Sequence, residues 1–402
     1  MQVARPLRWC SPNSWHGLTN STRSLRTSDG RRRTADTTTD SSESTPIMAA
    51  AILGEPPPLP HPFDAQEKPL PLAMKVLLVL SLPLLVVLAV LRALLFIVMM
   101  ILLFFVCGIA TLGLPTHVGG SFEPLTGVRR SVSRVLVMAV GRVILMCFGC
   151  WPGLFTVNGT WDPMCPVCAA APHYGAADAF VFLWLGFPRP VILEPYSKIP
   201  VVKQILQSCG ALLVPIASST KGMKTTGDSA SSGGEKPKGL TTNATREAIL
   251  RHKREFDPSV DGAAPIVLFS EGITHSGCTL LPLFKGAFEG GTAVQPIVVR
   301  YHYTYHNAAA FLNFSLGEHF KRLLTTPWMA ITVDYLPTHQ PTAQEAADGA
   351  IMAETVRGQM SRFSGLPMHR LGARELRKEL SEAKPPPKPK EAKGGDEARA
   401  LV

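Results

Sequence analysis

The sequence predicts an α/β protein: a single domain with a mostly parallel central sheet flanked by helices, preceded by an N-terminal transmembrane or re-entrant helical hairpin. Two observations support this fold class. From Leu154 onwards, short apolar runs alternate with helix-like stretches, which is the pattern of a largely parallel sheet. Ahead of them, residues 72–114 are almost wholly apolar, and the only interruptions are Lys75 and Arg92.

The apolar run 72–114 predicts attachment to a membrane. One crossing needs about 20 apolar residues, so the run is long enough for two crossings or one hairpin. Arg92 falls near the middle of the run, and Pro83 would kink its first half. Two helices that turn near Arg92 would leave both flanks of the run on one side of the membrane. One helix from Ala93 to Leu114 with an interfacial segment is the alternative. In both cases we expect an integral or firmly anchored membrane protein.

The regions around this run have distinct compositions. Residues 1–71 are rich in Ser, Thr, Arg and Pro and are predicted to be disordered. Their Arg-rich, acid-poor start resembles an organelle transit peptide, and an upstream extension before Met48 explains it equally well. Residues 115–153 predict an amphipathic helix in the headgroup region, with a core helix as the alternative. Residues 367–402 form a charged, Pro/Lys-rich tail that is predicted to be disordered and suited to anionic lipid.

The folded domain is predicted to span residues 154–366, with a flexible Ser/Gly/Thr/Lys insertion at 218–239. Apolar runs predict strands at 154–158, 167–171, 191–194, 211–216, 265–270, 294–300 and 330–335. Helical patterns predict helices at 177–186, 201–209, 241–256, 309–324 and 342–363.

The net charge of the chain limits the classes of partner that it is expected to bind. A formal charge of +10 and a pI near 9.3 point to nucleic acid, an anionic membrane surface or phosphate-bearing substrates. Aromatic residues are few and no nucleic-acid-binding motif accompanies the basic clusters, so we expect no nucleic-acid partner. Of the three classes of partner, the apolar run favours a membrane surface.

The cysteines include a pattern close to a structural zinc site, because Cys147-x-x-Cys150 is followed by Cys165-x-x-Cys168. The surroundings argue against a metal. The first pair lies in a predicted apolar helix and Cys168 lies in a predicted strand, where free cysteine behaves as a small hydrophobe. We therefore expect no metal, and a reduced, cytosol-facing domain.

A histidine and a carboxylate stand where a predicted strand passes into a helix. His173 and Asp178 would meet if the chain turned sharply at Gly175. The carboxylate would then hold one ring nitrogen and leave the other free to take a proton from a hydroxyl. A capping aspartate beside a helix-start histidine is the plainer alternative. His252 and Asp257 have the same spacing, but their charged surroundings predict a solvated helix face.

A second polar loop follows the predicted strand at 265–270. Glu271 provides a carboxylate there, and Gly272 would let backbone N–H groups approach a ligand. Thr274 is a donor suited to phosphate oxygens, and Lys285 adds a cation a few residues later. An ordinary strand–helix turn rich in Gly, Ser and Thr is the alternative.

Together these features resemble the glycerolipid acyltransferase family (1-acylglycerol-3-phosphate acyltransferase-like), and within it the lysophosphatidylcholine/lysophosphatidylethanolamine acyltransferase branch. The resemblance covers about residues 72–366 and rests on the combination of motifs. The motifs are Ala171-Pro172-His173-(x4)-Asp178, Leu268-Phe269-Ser270-Glu271-Gly272-Ile273-Thr274, Phe284-Lys285-Gly286-Ala287-Phe288, Val294-Gln295-Pro296-Ile297-Val298-Val299-Arg300-Tyr301, Pro327-Trp328 and Val333-Asp334-Tyr335-Leu336-Pro337.

The resemblance implies acyl transfer from acyl-CoA to the free hydroxyl of a lysophospholipid, with acyl-CoA as co-substrate and no bound cofactor. It implies two catalytic residues, His173 and Asp178, and a set of substrate-binding residues: Glu271, Gly272, Thr274 and Lys285. The partners would be acyl-CoA, the lysophospholipid acceptor and membrane lipids. The endoplasmic reticulum is the expected membrane, with a plastid or another organelle as alternatives. There are two competing functions. One is a 1-acylglycerol-3-phosphate or glycerol-3-phosphate acyltransferase, and the other is an inactive membrane lipid-binding scaffold.

The chain departs from the family pattern in three places. Ser270 replaces the usual proline of the Glu-Gly loop, and Ile273 replaces a threonine. Ile216 stands where the family has an arginine that helps to hold the acceptor phosphate, and Lys221 or Lys224 are candidate substitutes. No calcium-binding loop follows the domain.

Overall fold

The computed structural model describes residues 59–64, 67–114, 122–186, 188–214, 240–260, 263–312 and 315–382. The first 58 residues, the predicted insertion at 218–239 and the tail beyond Glu382 lie outside the described residues, so the predictions made for them stay predictions.

A seven-stranded sheet forms the centre of the protein, and its spatial order is β1-β7-β6-β2-β5-β3-β4. Every strand pair is parallel except β6 with β7, so the predicted mostly parallel α/β sheet is confirmed. The strands are β1 (Phe155–Asn158), β2 (Val167–Ala171), β3 (Arg189–Leu193), β4 (Leu212–Val214), β5 (Ile266–Phe269), β6 (Gln295–His302) and β7 (Ala330–Tyr335).

Helices cover both faces of this sheet. They are α1 (Leu72–Ala110), α2 (Gly127–Cys147), α3 (Ala176–Leu185), α4 (Pro200–Ser208), α5 (Leu240–Glu255), α6 (Leu316–Thr325), α7 (Ala343–Ala347), α8 (Gly349–Ser364) and α9 (Ala373–Glu382). One face packs against α1, α2, α3 and α6, and the other against α5 and α8. Because β2 is buried on both faces, all five of its residues are buried and apolar.

Three helix predictions differ from the structure. The helix predicted from residue 309 begins at Leu316, because the Ser315 hydroxyl accepts the Glu318 N–H and caps it there. The helix predicted over 342–363 is divided at Asp348, whose carboxylate accepts the Ala350 N–H and starts α8. Helix α9 lies in the tail that was predicted to be disordered, where Leu376 is fully buried.

The apolar run forms one continuous helix of 39 residues, so the predicted hairpin turn near Arg92 is wrong. Arg92 is buried, and its guanidinium donates to the carbonyls of Thr326 at 2.6 Å and Pro327 at 2.9 Å. An arginine satisfied by two carbonyls needs no turn to reach water, so the helix continues through it.

Arg92 divides α1 into two halves. The buried residues of the helix are Arg92 and three residues after it, whereas residues 72–91 contain none. At about 1.5 Å per residue, the uncovered half is about 30 Å long. Its N-terminal end is nevertheless attached to the domain, because the Lys68 N–H donates to the Tyr305 carbonyl at 2.7 Å. Both ends of this half therefore contact the same domain.

The carboxyl ends of three neighbouring strands meet at one edge of the sheet. Register pairs Ala170 of β2 with Phe269 of β5, and Ala171 with Val298 of β6. Loops that follow these strands consequently share that edge, which we call the carboxyl edge; it is where ligands bind in open α/β sheets.

Candidate active site

The structure brings His173 and Asp178 together at the carboxyl edge. His173 follows β2, Asp178 lies in the first turn of α3, and His173 Nδ1 is 2.8 Å from Asp178 Oδ2. The ionised carboxylate accepts the hydrogen on Nδ1, so Nε2 is the nitrogen free to take a proton. This is the sharp turn through Gly175 that the spacing required.

The Asp178 carboxylate is fully buried and accepts four hydrogen bonds. Besides His173, the backbone N–H groups of Tyr174 at 2.7 Å and Gly175 at 3.1 Å donate to Oδ2. The Tyr301 hydroxyl donates to Oδ1 at 2.6 Å. Such a set of donors stabilises the charged carboxylate in the interior.

Tyr301 was missed as a site residue by sequence reasoning, although it ends one of the resemblance motifs. It lies on β6 and is 5% exposed, and burial raises its pKa well above the usual value, with the Asp178 charge adding to the effect. Its hydroxyl therefore stays protonated as a donor. The available signal was a tyrosine inside an apolar strand, since a buried hydroxyl requires a partner.

The His173 ring is oriented by an aromatic neighbour as well as by Asp178. It stacks on Phe269 with a centroid distance of 4.0 Å and an interplanar angle of 15°. About a quarter of the side chain (24%) remains exposed, whereas Asp178 has none. The histidine is thus held on two sides and open on a third.

Glu271 lies beneath this pair and is fully buried. Its Oε2 accepts the His173 N–H at 2.8 Å and lies 2.9 Å from His275 Nε2, while its Oε1 accepts the Leu281 N–H at 2.9 Å. Both oxygens are occupied by the protein itself. The geometry thus places Glu271 against the His173 backbone.

His275 is a second residue that sequence reasoning missed. Its ring is fully buried, and its Nδ1 accepts the Gly277 N–H at 3.2 Å, which leaves the hydrogen on Nε2 to donate to Glu271. The His275 N–H donates to the His173 carbonyl at 2.9 Å. Its i+4 spacing from Glu271 was visible in the sequence.

Gly272 has a conformation that favours glycine, with φ at +69°. A Cβ there would lie 2.1 Å from the Phe284 ring. Its own N–H donates to the Phe269 carbonyl at 3.1 Å. The N–H groups of Ile273 and Thr274 donate to no other residue in the described part of the chain.

The other two predicted substrate-binding residues have different environments. The Thr274 hydroxyl donates to the Phe311 carbonyl at 3.1 Å, which ties the Glu271 loop to the loop after β6. The Lys285 side chain is 69% exposed and its Nζ lies 4.0 Å from Glu289, so this cation faces solvent.

The family's phosphate-binding arginine has no counterpart that can be placed, because Ile216, Lys221 and Lys224 lie outside the described residues. A different arginine reaches the Glu271 loop. Arg377 of α9 is exposed, and its guanidinium donates to the Gly272 carbonyl.

The alternative histidine is located elsewhere. His252 Nδ1 lies 3.1 Å from an Arg189 guanidinium nitrogen, and Asp257 bonds instead to Ser259. Burial, followed by the Arg189 charge, lowers the His252 pKa to about 4. The pair with identical spacing does not form.

The four patterned cysteines are all buried. Cys150 Sγ lies against the Leu154 carbonyl and Cys165 Sγ against the Val167 carbonyl. Across the described ranges, no three or more His, Cys, Asp or Glu side chains lie close enough to hold a metal ion.

The fold and the site define this chain as a membrane-associated α/β protein with a histidine and a buried carboxylate paired at the carboxyl edge of its sheet. Curated lysophospholipid acyltransferases are similar to it. It is 25% identical over 246 residues to lysophospholipid acyltransferase LPCAT4 of Homo sapiens, covering 61% of this chain and 42% of that protein. It is 27% identical over 218 residues to lysophospholipid acyltransferase LPEAT1 of Arabidopsis thaliana, covering 54% and 50%.

Human lysophosphatidylcholine acyltransferase 2 is 24% identical over 319 residues, covering 78% of this chain and 52% of that protein. The chain is thus 24–27% identical to these lysophospholipid acyltransferases. It spans about half the length of the curated relatives it matches.

Among solved structures, the 1-acyl-sn-glycerophosphate acyltransferase PlsC of Thermotoga maritima is similar to this chain with a TM-score of 0.41 and 14% identity. The similarity covers 74% of this chain and 98% of PlsC. No protein-family model matches the chain.

Proposed function

We propose that this protein is an acyl-CoA-dependent lysophospholipid acyltransferase, which transfers a fatty acyl group to the free hydroxyl of a lysophospholipid. The observation that carries the proposal is the 2.8 Å contact between His173 Nδ1 and the buried Asp178 carboxylate. A histidine held in this tautomer is a general base for a hydroxyl. The family relationship supports the acyl donor and the class of acceptor.

The reaction needs one base and no covalent enzyme intermediate. His173 Nε2 takes the proton from the acceptor hydroxyl. At the same time the hydroxyl oxygen attacks the carbonyl carbon of the thioester. The carbon–sulfur bond then breaks, and the coenzyme A thiolate takes the proton from the imidazolium. Asp178 stabilises the imidazolium during this cycle and remains ionised, since four donors hold its charge.

Glu271 acts in this proposal as a positioning residue. Its Oε2 accepts the His173 N–H and its Oε1 accepts the Leu281 N–H, so it fixes the backbone that presents the base. The N–H groups of Ile273 and Thr274, on the same loop, donate to no other described residue and are the candidates for stabilising the thioester oxyanion. The Gly272 N–H is not a candidate, because it already donates to the Phe269 carbonyl.

Two exposed cations border the same loop and suit an anionic headgroup or the coenzyme A phosphates. Lys285 is bordered by Glu289, and Arg377 rests on the Gly272 carbonyl. Of the two, Arg377 is bonded directly to the loop that carries Glu271. We propose that it contributes the phosphate contact that the family's missing arginine would make.

The membrane helix supports delivery of lipid substrates to this edge. Residues 72–91 of α1 are apolar apart from Lys75 and Ser81, and none of them is buried. Both of their ends are attached at the carboxyl edge, through Lys68 to Tyr305 and through Arg92 to Pro327. This arrangement favours attachment from one side of the bilayer, with the active site facing the lipid. The endoplasmic reticulum is the proposed location.

An acylation assay tests the proposal. The full chain is reconstituted in phosphatidylcholine vesicles with acyl-CoA, and coenzyme A release is measured with four acceptors: lysophosphatidylcholine, lysophosphatidylethanolamine, 1-acylglycerol-3-phosphate and glycerol-3-phosphate. We expect turnover with a lysophospholipid, and a loss of about a hundredfold or more in His173→Ala at unchanged vesicle binding. His252→Gln is the matched control and should retain activity. Full turnover by His173→Ala would contradict the assignment.

A further inference from the structure

Helix α6 lies between the membrane helix α1 and the turn that carries the catalytic pair. At its C-terminal end, Arg92 of α1 donates to the carbonyls of Thr326 and Pro327. One turn further along α1, the Phe96 ring packs on Phe320 of α6 with a centroid distance of 5.3 Å. Two separate contacts therefore fix α6 relative to α1.

The Arg92 contact is reinforced by an aromatic side chain. The guanidinium lies 4.8 Å from the Trp151 ring, and Trp151 Nε1 donates to the same Pro327 carbonyl at 3.0 Å. A buried guanidinium that meets two carbonyls and an aromatic face is held in one position. This end of α6 cannot shift without breaking charge-assisted hydrogen bonds.

At the other end of α6, His319 reaches the catalytic turn. Its side chain is fully buried, and its Nε2 accepts the N–H of Ala176, the first residue of α3, at 3.3 Å. Asp178 lies in the same first turn of α3. The N–H groups of a helix's first turn lack partners within the helix, so an outside acceptor fixes where that turn lies.

The protonation of His319 agrees with this role. An acceptor at Nε2 requires the hydrogen on Nδ1, and Nδ1 makes no hydrogen bond within the part of the chain that the structure describes. Burial lowers the His319 pKa to about 4, so the ring is neutral. The buried ring thus keeps an unsatisfied donor, and the bond that it makes is directed at the catalytic turn.

The backbone of the turn is closely packed at Gly175, on the side that faces His319. A Cβ on Gly175 would lie 2.8 Å from the Ala309 carbonyl oxygen and 3.0 Å from His319 Nε2. The Phe311 N–H also donates to the Tyr174 carbonyl at 2.7 Å. Of these neighbours only His319 belongs to α6, so a displacement of α6 would act on the turn through the His319 ring.

We propose that His319 is a positioning residue for the His173–Asp178 pair, and that α6 transmits the position of the membrane helix to it through Arg92. The inference rests on the proposed acyltransferase function, because its readout is turnover. The position that α1 takes in a bilayer then influences catalysis through α6. No contact between α1 and a substrate is needed.

Variants of His319 test the first part. His319→Gln offers an amide oxygen at similar reach, whereas His319→Asn is too short and His319→Leu has no acceptor. We expect kcat to fall about tenfold or more in the Leu and Asn variants, with KM changed by less than about twofold, and Gln to recover most of the loss. Equal kcat in all three variants and wild type would overturn the role. If Leu does not fold, the comparison of Gln with Asn decides.

A double-mutant cycle tests the second part. Arg92→Met and His319→Asn are measured alone and together in the same vesicles, with Arg92→Lys as the conservative variant. If α6 connects them, the combined loss of kcat should be clearly smaller than the product of the two single losses, and Arg92→Lys should retain more activity than Arg92→Met. Multiplicative losses would refute the connection.

Two controls separate failure of this inference from failure of the proposed function. Arg129→Met removes a cation of α2 that donates to the Leu112 carbonyl and forms no hydrogen bond or ion pair with α6 among the described residues; it should keep wild-type kcat. Vesicle flotation of each variant measures membrane binding, which should not change. Inactive wild-type protein with every acceptor would contradict the function, whereas active wild type with unaffected variants would contradict the inference alone.

Discussion

Tyr301 donates its hydroxyl hydrogen to Asp178 Oδ1 at 2.6 Å, so the carboxylate that orients His173 is held from the neighbouring strand β6. The two residues are 123 positions apart in the chain. The His173–Asp178 pair is therefore a local motif that depends on a distant side chain for the orientation of its carboxylate.

We expect Tyr301→Phe to lower kcat about tenfold or more, because a hydrogen bond to a buried charged group contributes about 1.5–3 kcal/mol. The measurement is coenzyme A release at saturating acceptor. Tyr335→Phe is the matched control, since it removes a tyrosine hydroxyl from the adjacent strand β7, where the side chain is half-buried. An equal loss in both variants would show that the Asp178 contact has no special effect.

Gly272→Ala should destabilise the Glu271 loop by about 1–2 kcal/mol or more, since the position has φ of +69° and a Cβ would meet the Phe284 ring. The readouts are thermal unfolding in detergent and turnover. At Gly286 no atom lies within 4 Å of an added Cβ, so Gly286→Ala should unfold at the wild-type temperature. Wild-type stability of the Gly272 variant would contradict this account of the loop.

If Arg377 contacts the acceptor phosphate, Arg377→Gln should raise the KM for the lysophospholipid severalfold and change kcat by less than about twofold. Steady-state kinetics with varied acceptor at fixed acyl-CoA separate the two constants. Arg374→Gln removes the same charge one turn earlier on α9, and its KM should match wild type. A shift of similar size in both variants would indicate a general surface charge effect.

The buried His319 predicts a loss of stability in acid. Its pKa is about 4 in the folded protein because burial disfavours the charged ring, although Asp178 opposes and Arg322 supports this shift. The unfolded chain takes up a proton below about pH 6.5 and the folded protein does not, so stability falls as the pH drops from about 6.5 to 4.

The size of this loss is up to about 3 kcal/mol, from 1.36 kcal/mol per pH unit. His319→Gln cannot take up the proton, so its free energy of unfolding should change less between pH 7 and pH 5 than that of wild type. Denaturant unfolding at the two pH values measures the difference. Identical changes in both proteins would exclude His319 as the source.

Much of the fold could be predicted from the sequence because its signals are local. The runs that became β2 and β7 were predicted with the bounds they have, since short apolar segments between turn residues form buried strands. The membrane helix was visible from its apolar length alone. Its continuity was not, because Arg92 resembles an interruption until its two carbonyl partners are known.

The candidate site was predictable in part. His173 and Asp178 are close in sequence, so spacing and a glycine turn indicated that they could meet, yet His252 and Asp257 have the same spacing and do not. The position of Glu271 was predicted, but its contacts differ from those expected. It bonds the His173 backbone because β5 lies beside β2, a neighbour relation that periodicity does not reveal.

The sequence by itself determined the local elements of this protein: an apolar helix, an alternating strand and helix pattern, and a histidine and an aspartate at a strand end. The tertiary structure alone decided that Tyr301 holds Asp178, that His319 caps the catalytic turn and that Arg92 joins the membrane helix to α6. The physical reason is that propensity and periodicity act over a few residues. Hydrogen bonds between buried groups instead depend on which strands and helices become neighbours, and that follows from packing the whole chain.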